Sequence, residues 1–430
     1  MDELKKQICR NVDDNRAMIL ELAEEIWNNP ETGYQEFETA LLVKKFFEKL
    51  NLPFAGNIAV TGSKAVLDTG KPGPSIALLG ELDALYLPSH EAADKKSGAV
   101  HVCGHHLQIA SLLGAAAGLA ETKIKDELCG KIIFITVPSE EFGMDESRTA
   151  LKRDGKIEFF GGKQEMISRG IFDDIDVAIM VHSGNEYHYP VSYNGFVAKK
   201  IVFKGKAAHA GVSPESGINA LYAANMALNA INAQRETFCD EDSVRVHGII
   251  INGGDAVNII PDTIEMEVQI RARTISAIRD AAAKVDRSAR AGAMAMGAAI
   301  EIETVPGYMP LRNNDTIAGI YEKNLKMLHS EACLKKTGHR ASSTDMGDLS
   351  CIIPVLHAYS CGVEGKFHSC DFHVVDMSKA CIEPAKLMAM TAVDLLKIGK
   401  ISSDYQLMNR EEYLENIRNF AVKQNFNYQE

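Results

Sequence analysis

Three short apolar runs set the strongest limit on how this chain can fold. Ser75–Leu79, Lys131–Val137 and Asp176–Val181 each read as a buried strand, and each delivers polar residues at its carboxyl end. Asp83 follows the first, Glu140 and Glu141 the second, and His182 the third. In open α/β sheets the functional crevice lies outside the carboxyl ends of the strands. Strand ends that repeatedly offer Asp, Glu and His therefore predict an α/β fold with one converging site.

The stretch Ala99–His106 adds a second constraint. Cys103 and His105 are separated only by Gly104, just before the small and apolar run Leu107–Ala120. That run reads as a buried helix, with the glycine allowing a tight bend at its entrance. A thiolate and an imidazole at a helix start are half of a metal site. They equally begin a cysteine nucleophile, whose thiol is acidified at a helix N-terminus. The stretch alone leaves both open.

The remaining pattern divides the chain. Residues 14–27 and 36–50 carry helical spacing around the turn Asn29-Pro30-Glu31-Thr32-Gly33. From Ser192 the pattern changes to strand Phe196–Phe203, helix Ile218–Phe238, strands Val244–Ile251 and Ile264–Ala272, helix Ile275–Met296 and strand Ala298–Val305. This β-α-β-β-α-β order is that of a ferredoxin-like α+β sandwich, inserted as a domain over residues 193–308. Helix Asp315–Leu334, strand Ile352–Ala358 and helix Ser378–Ile398 then return the chain to the first domain, expected over 1–192 and 309–430. The tail after Ser403 is charged and carries no evident role.

Charge and cysteine content narrow the partners. The net charge of −12 argues against nucleic acid and anionic membranes. No apolar run approaches the roughly 18 residues a membrane helix needs, and the charged N-terminus is unlike a signal peptide. Nine cysteines without regular spacing point to free thiols in a reducing, cytoplasmic setting.

A hydrolytic metal site needs borderline ligands, a carboxylate base and room for water. The candidate ligands are Cys103, His105, Glu141, His182 and His368, which leaves Glu140 as the base. Two adjacent carboxylates can divide roles if one is neutralised by metal and the other stays free to take a proton.

At this point the residues carry a resemblance. GELDAL (80–85), VCGHH (102–106), VPSEEFG (137–143), His182, KAAHAG (206–211), NGGDAVNIIPD (252–262), SSTDMGD (342–348) and FHSCDF (367–372) together resemble the M20 metallopeptidase and amidohydrolase family. The cysteine-containing group that hydrolyses N-acyl amino acids fits best, and SSTDMGDLS resembles the branch of p-aminobenzoyl-glutamate hydrolase subunits and related dipeptidases. The resemblance covers about residues 15–395.

It implies a discontinuous zinc-peptidase-like α/β/α catalytic domain with an inserted lid that also forms a homodimer. Two divalent metal ions are implied, zinc or manganese first and cobalt or nickel as alternatives. Cys103, His105, Glu141, His182 and His368 match metal ligands, and Glu140 matches the general base. Asp83 matches an aspartate that orients an imidazole ligand from behind. His209 matches a lid histidine that polarises the scissile carbonyl in the partner subunit's site. Asn258 and Arg271 match substrate-binding positions, with Arg271 suited to fork onto a carboxylate. The expected substrate is an N-acyl amino acid or dipeptide with a free carboxylate.

Two features depart from the family pattern. His106 stands where Asp or Asn is usual, which leaves it open as a further ligand, a substrate contact or a tolerated change. The segment between Asp83 and His101 is long and polar, so the pocket can differ from that of the dipeptidase branch. Two other function classes stay in view. A cysteine hydrolase using Cys103 leaves Glu140, Glu141, His182 and His368 without a task. A non-catalytic metal-bound binding or regulatory subunit has no use for Glu140.

Overall fold

The computed structural model describes residues 1–429. It divides into two compact units. The first comprises Met1–Val191, Arg312–Gly338 and Asp348–Arg410; the second comprises Ser192–Leu311, His339–Gly347 and the chain from Glu411 onward.

The first unit is built on an eight-stranded mixed sheet. Its order is Phe54–Ile58, Gly62–Asp68, Lys131–Val137, Ser75–Glu81, Val177–His182, Val355–Tyr359, His188–Pro190 and Lys335–Thr337. The three apolar runs that frame the sequence reading are neighbours here. Ser75–Glu81 sits between the other two and runs parallel to both. All three strands are buried except for two half-buried first residues, Ser75 and Lys131. Parallel strands covered on both faces read as continuous apolar runs, which is why alternation is absent from their sequences.

Helix His105–Leu119 lies on the central strand Ser75–Glu81, and every one of its residues is buried. Its run of small residues has a packing cause. A Cβ on Gly114 would stand 2.9 Å from both Ala385 and Ile19, and one on Gly118 would stand 2.6 Å from Val12. Helices Glu3–Asp14, Arg16–Asn28 and Glu383–Ile398 approach at those points. The first of these helices and the strands Phe54–Ile58 and Gly62–Asp68 lie outside the elements expected from the sequence.

The second unit carries a five-stranded antiparallel sheet in the order Arg245–Asn252, Thr263–Ala272, Gly195–Lys204, Ala299–Pro306 and Lys423–Phe426. Ile264, Met266, Val268 and Ile270 alternate inward along one strand. Helices Ala220–Ala233 and Ile275–Ala295 pack on this sheet and on each other. The four strands and two helices within 195–306 follow the β-α-β-β-α-β order.

The tail corrects the expected boundaries. Residues 339–347 and those from 411 onward belong with the second unit, not with the first. Lys423–Phe426 pairs antiparallel with Ile300–Glu303 and adds a short outer strand to the sheet. Its sequence, KQNF, has no β-branched residue or apolar alternation, so nothing marks it as a strand before the edge it covers is known.

One close approach bears on the site below. Helix Gly162–Ser168 begins against the end of the 131–137 strand, where a Cβ on Gly162 would lie 1.7 Å from the Pro138 carbonyl oxygen. Gly162→Ala is expected to lower unfolding stability by about 3 kcal/mol, as overpacking against rigid backbone does. A urea-denaturation midpoint equal to wild type would contradict this packing.

Candidate metal centre

The strand order places the site. The carboxyl ends of three adjacent parallel strands bring Glu81 and Asp83, Glu140 and Glu141, and His182 to one side of the sheet. Helix His105–Leu119 starts there, and Gly104 enters it with φ +88°. A Cβ at Gly104 would stand 2.3 Å from the Ser183 hydroxyl, so both the turn and the close approach require glycine.

The five residues expected as ligands lie together in the first unit. Ligand atoms of Cys103, His105 and His182 lie within 4.8 Å of one another, as do those of Cys103, Glu141 and His368. Cys103 belongs to both groups and so joins them. His182 Nε2 is 3.5 Å from the Cys103 sulfur, while its Nδ1 is bonded to the Ser183 carbonyl at 2.8 Å. His368 Nε2 is 3.1 Å from Glu141 Oε1. His368 has φ +61°, a left-handed conformation uncommon away from glycine and often met at functional positions.

Asp83 ties two of these residues in place. Its backbone carbonyl accepts from His105 Nδ1 at 2.8 Å, and its carboxylate accepts the Glu141 N–H at 2.8 Å. With Nδ1 engaged, His105 Nε2 is turned toward Glu81 Oε2 at 3.2 Å and Glu140 Oε2 at 4.0 Å. A second such bond fixes the other imidazole: the Ser183 carbonyl leaves His182 Nε2 as the outward atom.

The donor set fits divalent metal. His105 Nε2 and Glu141 Oε1 are buried and face only other candidate ligand atoms and the Glu81 and Glu140 carboxylates. Burial opposes ionisation of the Cys103 thiol, yet the His105 and His182 imidazoles bring it down to about 6. His368 is pushed up to about 11 by its bonds to Cys103 and then Glu141. These shifts describe a pocket of converging anions that favours positive charge. Thiolate, imidazole and carboxylate together make a borderline donor set.

Two residues that the sequence reading does not single out complete the surroundings. Glu81 is fully buried, with one oxygen accepting from Lys163 Nζ at 2.6 Å and the other from Gln108 at 2.8 Å. Burial works against the Glu81 carboxylate, but Lys163 and His105 hold it well below the usual carboxylate range. Its place two residues before Asp83, on the same face of a strand end, is the signal that was available.

His106 packs among rings and is not grouped with the candidate ligands. Its ring packs 5.0 Å from Trp27 and 5.4 Å from His101, and burial pushes its pKa down to about 3. It belongs to none of the three clusters that could hold a metal ion among the described residues.

His209, Asn258 and Arg271 lie in the second unit. His209 is exposed, and its Nδ1 accepts the N–H groups of Gly211 and Val212, both at 3.1 Å. That arrangement places the proton of a neutral imidazole on Nε2. The Asn258 carbonyl accepts the Ala210 N–H at 2.9 Å, so the two segments meet. Arg271 donates to Ser343 and Gln269, both at 2.8 Å, and lies 5.0 Å over the Phe196 ring.

Residues 192–293 match the family model of the peptidase dimerisation domain. Over 439 residues the chain is 28% identical to the Xaa-Arg dipeptidase of Mus musculus, covering 97% of this chain and 95% of that protein. It is 29% identical over 324 residues to a p-aminobenzoyl-glutamate hydrolase subunit of Escherichia coli K12, covering 71% of this chain and 60% of that protein. Among solved structures, a Bacillus subtilis protein described as a dinuclear metal binding peptidase from the M20 family superposes with a TM-score of 0.66 at 21% identity. That match covers 90% of this chain and 99% of the other. Fold, clustered ligands and named relatives together support a metal-dependent hydrolase of amide bonds. Over nearly its whole length the chain is similar to members of the M20 family of metallopeptidases and amidohydrolases.

The Glu81–Lys163 pair yields a test of the site's framework. Removing one partner leaves a buried charge uncompensated, so Lys163→Met is expected to destabilise the protein by about 3–5 kcal/mol. Glu81→Gln combined with Lys163→Met should recover part of that loss in urea unfolding. Additive losses would mean that the two side chains are not energetically coupled.

Proposed function

We propose that this protein hydrolyses the amide bond of an N-acyl amino acid or dipeptide whose released amino acid carries a free carboxylate. The observation that supports this reading best is the pair at the end of the 131–137 strand. Glu141 belongs to a cluster with Cys103 and His368, while the neighbouring Glu140 carboxylate reaches a different cluster, with Glu81 and His105. Adjacent carboxylates in different surroundings can divide ligation from proton transfer.

Cys103, His105, Glu141, His182 and His368 would hold two divalent ions; the donor set suits zinc, and manganese, cobalt or nickel could also occupy it. When bound, such ions supply Lewis acidity toward the amide carbonyl and make water acidic enough to deprotonate near neutral pH. Glu140 takes the proton from the attacking water and returns it to the leaving nitrogen. Asp83 keeps His105 and Glu141 oriented through the two bonds described above. His209, with its proton on Nε2, acts in the partner subunit's site, where it donates to the oxygen that gains negative charge. Arg271 pairs with the substrate carboxylate and Asn258 lines the substrate path. Cys103 acts as a ligand, not as the nucleophile.

The second unit supports a homodimer. Its strand Arg245–Asn252 is an unpaired edge of the sheet, and Ile249 and Ile251 on it are about half exposed. Tyr222 and Met226 on helix Ala220–Ala233 are also exposed. Nine free thiols are in keeping with a cytoplasmic location, and no described helix is long and apolar enough to cross a membrane.

Glu140→Gln is expected to lower kcat on N-acyl amino acids or dipeptides by a factor of about 10²–10⁴ while metal content stays unchanged. Exhaustive chelation should abolish turnover, and added zinc or manganese should restore it. Full activity in either test would overturn the reading, and tight ligand binding without turnover in the metal-loaded wild type would favour a binding subunit. In sedimentation experiments, Ile249→Asp combined with Ile251→Asp should shift a dimer toward monomer. A wild-type protein that sediments as a monomer would remove the proposed assembly.

A further inference from the structure

The turn that carries Glu140 is gripped by a segment with no part in the chemistry above. Ser139, the residue before Glu140, is fully buried with φ +50°. A non-glycine residue enters that region only when its surroundings hold it there. Three hydrogen bonds do so. The Ser139 N–H donates to Glu36 Oε1 at 2.8 Å, its hydroxyl donates to the Phe160 carbonyl at 2.9 Å, and its carbonyl accepts the Gly162 N–H at 3.2 Å.

Glu36 closes the turn that precedes helix Phe37–Lys49 and has no exposed surface. Its second carboxyl oxygen bonds the Thr61 hydroxyl at 2.5 Å. It belongs to none of the candidate metal clusters among the described residues. The rest of its turn reaches the same place. A Cβ on Gly33 would lie 2.5 Å from the Ser139 hydroxyl, and the Tyr34 hydroxyl donates to the Phe159 carbonyl at 2.9 Å. Tyr34 is itself left-handed, at φ +61°.

A buried carboxyl is costly unless its oxygens are satisfied. The Glu36 oxygens meet one strained peptide N–H and one hydroxyl. We infer that Glu36 is a positioning residue for Glu140, fixing the left-handed Ser139 peptide and so directing the carboxylate that follows it. This inference rests on the reading of Glu140 as the base. Burial, together with the charge of Asp83, pushes Glu36 up to about 8, so a neutral side chain of the same shape is a fair mimic at pH 7. Glutamine keeps an oxygen for the Ser139 N–H and offers an NH₂ group to Thr61. Leucine keeps the bulk and loses both bonds. Aspartate keeps the carboxyl but is one carbon too short to reach.

The test uses the full-length metal-loaded protein and a substrate that wild type cleaves. Glu36→Gln should stay within about threefold of wild-type kcat. Glu36→Leu and Glu36→Asp should lower kcat by about 10²-fold, the scale expected for a misplaced catalytic group, with KM and metal content unchanged. Adding Ser139→Gly to either should restore kcat at least tenfold, because glycine adopts φ +50° without being held. A purely structural strut would give no such rescue. Should Glu36→Leu fail to fold, Glu36→Asp carries the same comparison.

Unchanged kcat in both variants, metal loss in place of kcat loss, or no rescue by Ser139→Gly would each overturn the inference. Wild-type protein that binds metal but cleaves none of these substrates would overturn the functional reading instead. In that case crystal structures of the variants decide the positioning role. Ser139 leaving the left-handed region in Glu36→Leu supports it, and an unchanged backbone there overturns it.

Discussion

The chemistry of this molecule depends on three parallel strands being immediate neighbours. Strand spacing of about 4.8 Å brings residues from 83, 140 and 182 within reach of one another, although the sequence holds them far apart. Adjacency alone would leave the side chains free to turn. Asp83 removes that freedom, since its carbonyl orients His105 while its carboxylate holds the Glu141 backbone. The central strand thus sets both the distance between the candidate ligands and the direction of two of them.

The site was legible to the extent that its residues sit where strands end. Asp83, Glu140, Glu141 and His182 follow continuous apolar runs, and Cys103 and His105 open a helix of small residues. Those patterns are local, so they survive in the sequence. His368 was a candidate by residue type alone until the motif resemblance supported it, because the residues around it form no long element. Glu81, Lys163 and Glu36 escaped for the opposite reason. Each is a charged residue that composition assigns to the surface, and each is buried only because distant segments supply its partners. The strand Lys423–Phe426 escaped similarly, since it exists by pairing with an edge about 120 residues earlier.

That late strand matters for assembly. A sheet with two open edges has two ways to pair with another copy, and only one of them closes a symmetric dimer. Here the tail occupies the edge at Ala299–Pro306, with Phe426 stacked under Arg290 at 4.0 Å. The Arg245–Asn252 edge stays open. The tail therefore replaces a long edge strand by a four-residue one, and short edge strands offer little for another copy to pair with. In the proposed dimer this favours the longer Arg245–Asn252 edge as the one the partner meets.

Glu36 and Glu81 show how one residue type is driven in opposite directions near the same centre. Both are fully buried, so desolvation pushes both toward the neutral acid. Glu81 meets Lys163 and His105, and their positive charge overrides burial and keeps it ionised. Glu36 meets the negative charge of Asp83, which adds to burial and keeps its proton on. The consequence is a division of labour set by the nearest charge. An ionised carboxylate facing His105 Nε2 adds to the potential that attracts cations. A neutral one beneath Ser139 can hold a peptide in place without adding a further negative charge beside Asp83 and the carboxylates beyond it. A second buried anion there would compete with the ligands for the same positive charge, which is the physical reason for a positioning carboxyl at this spot to be protonated.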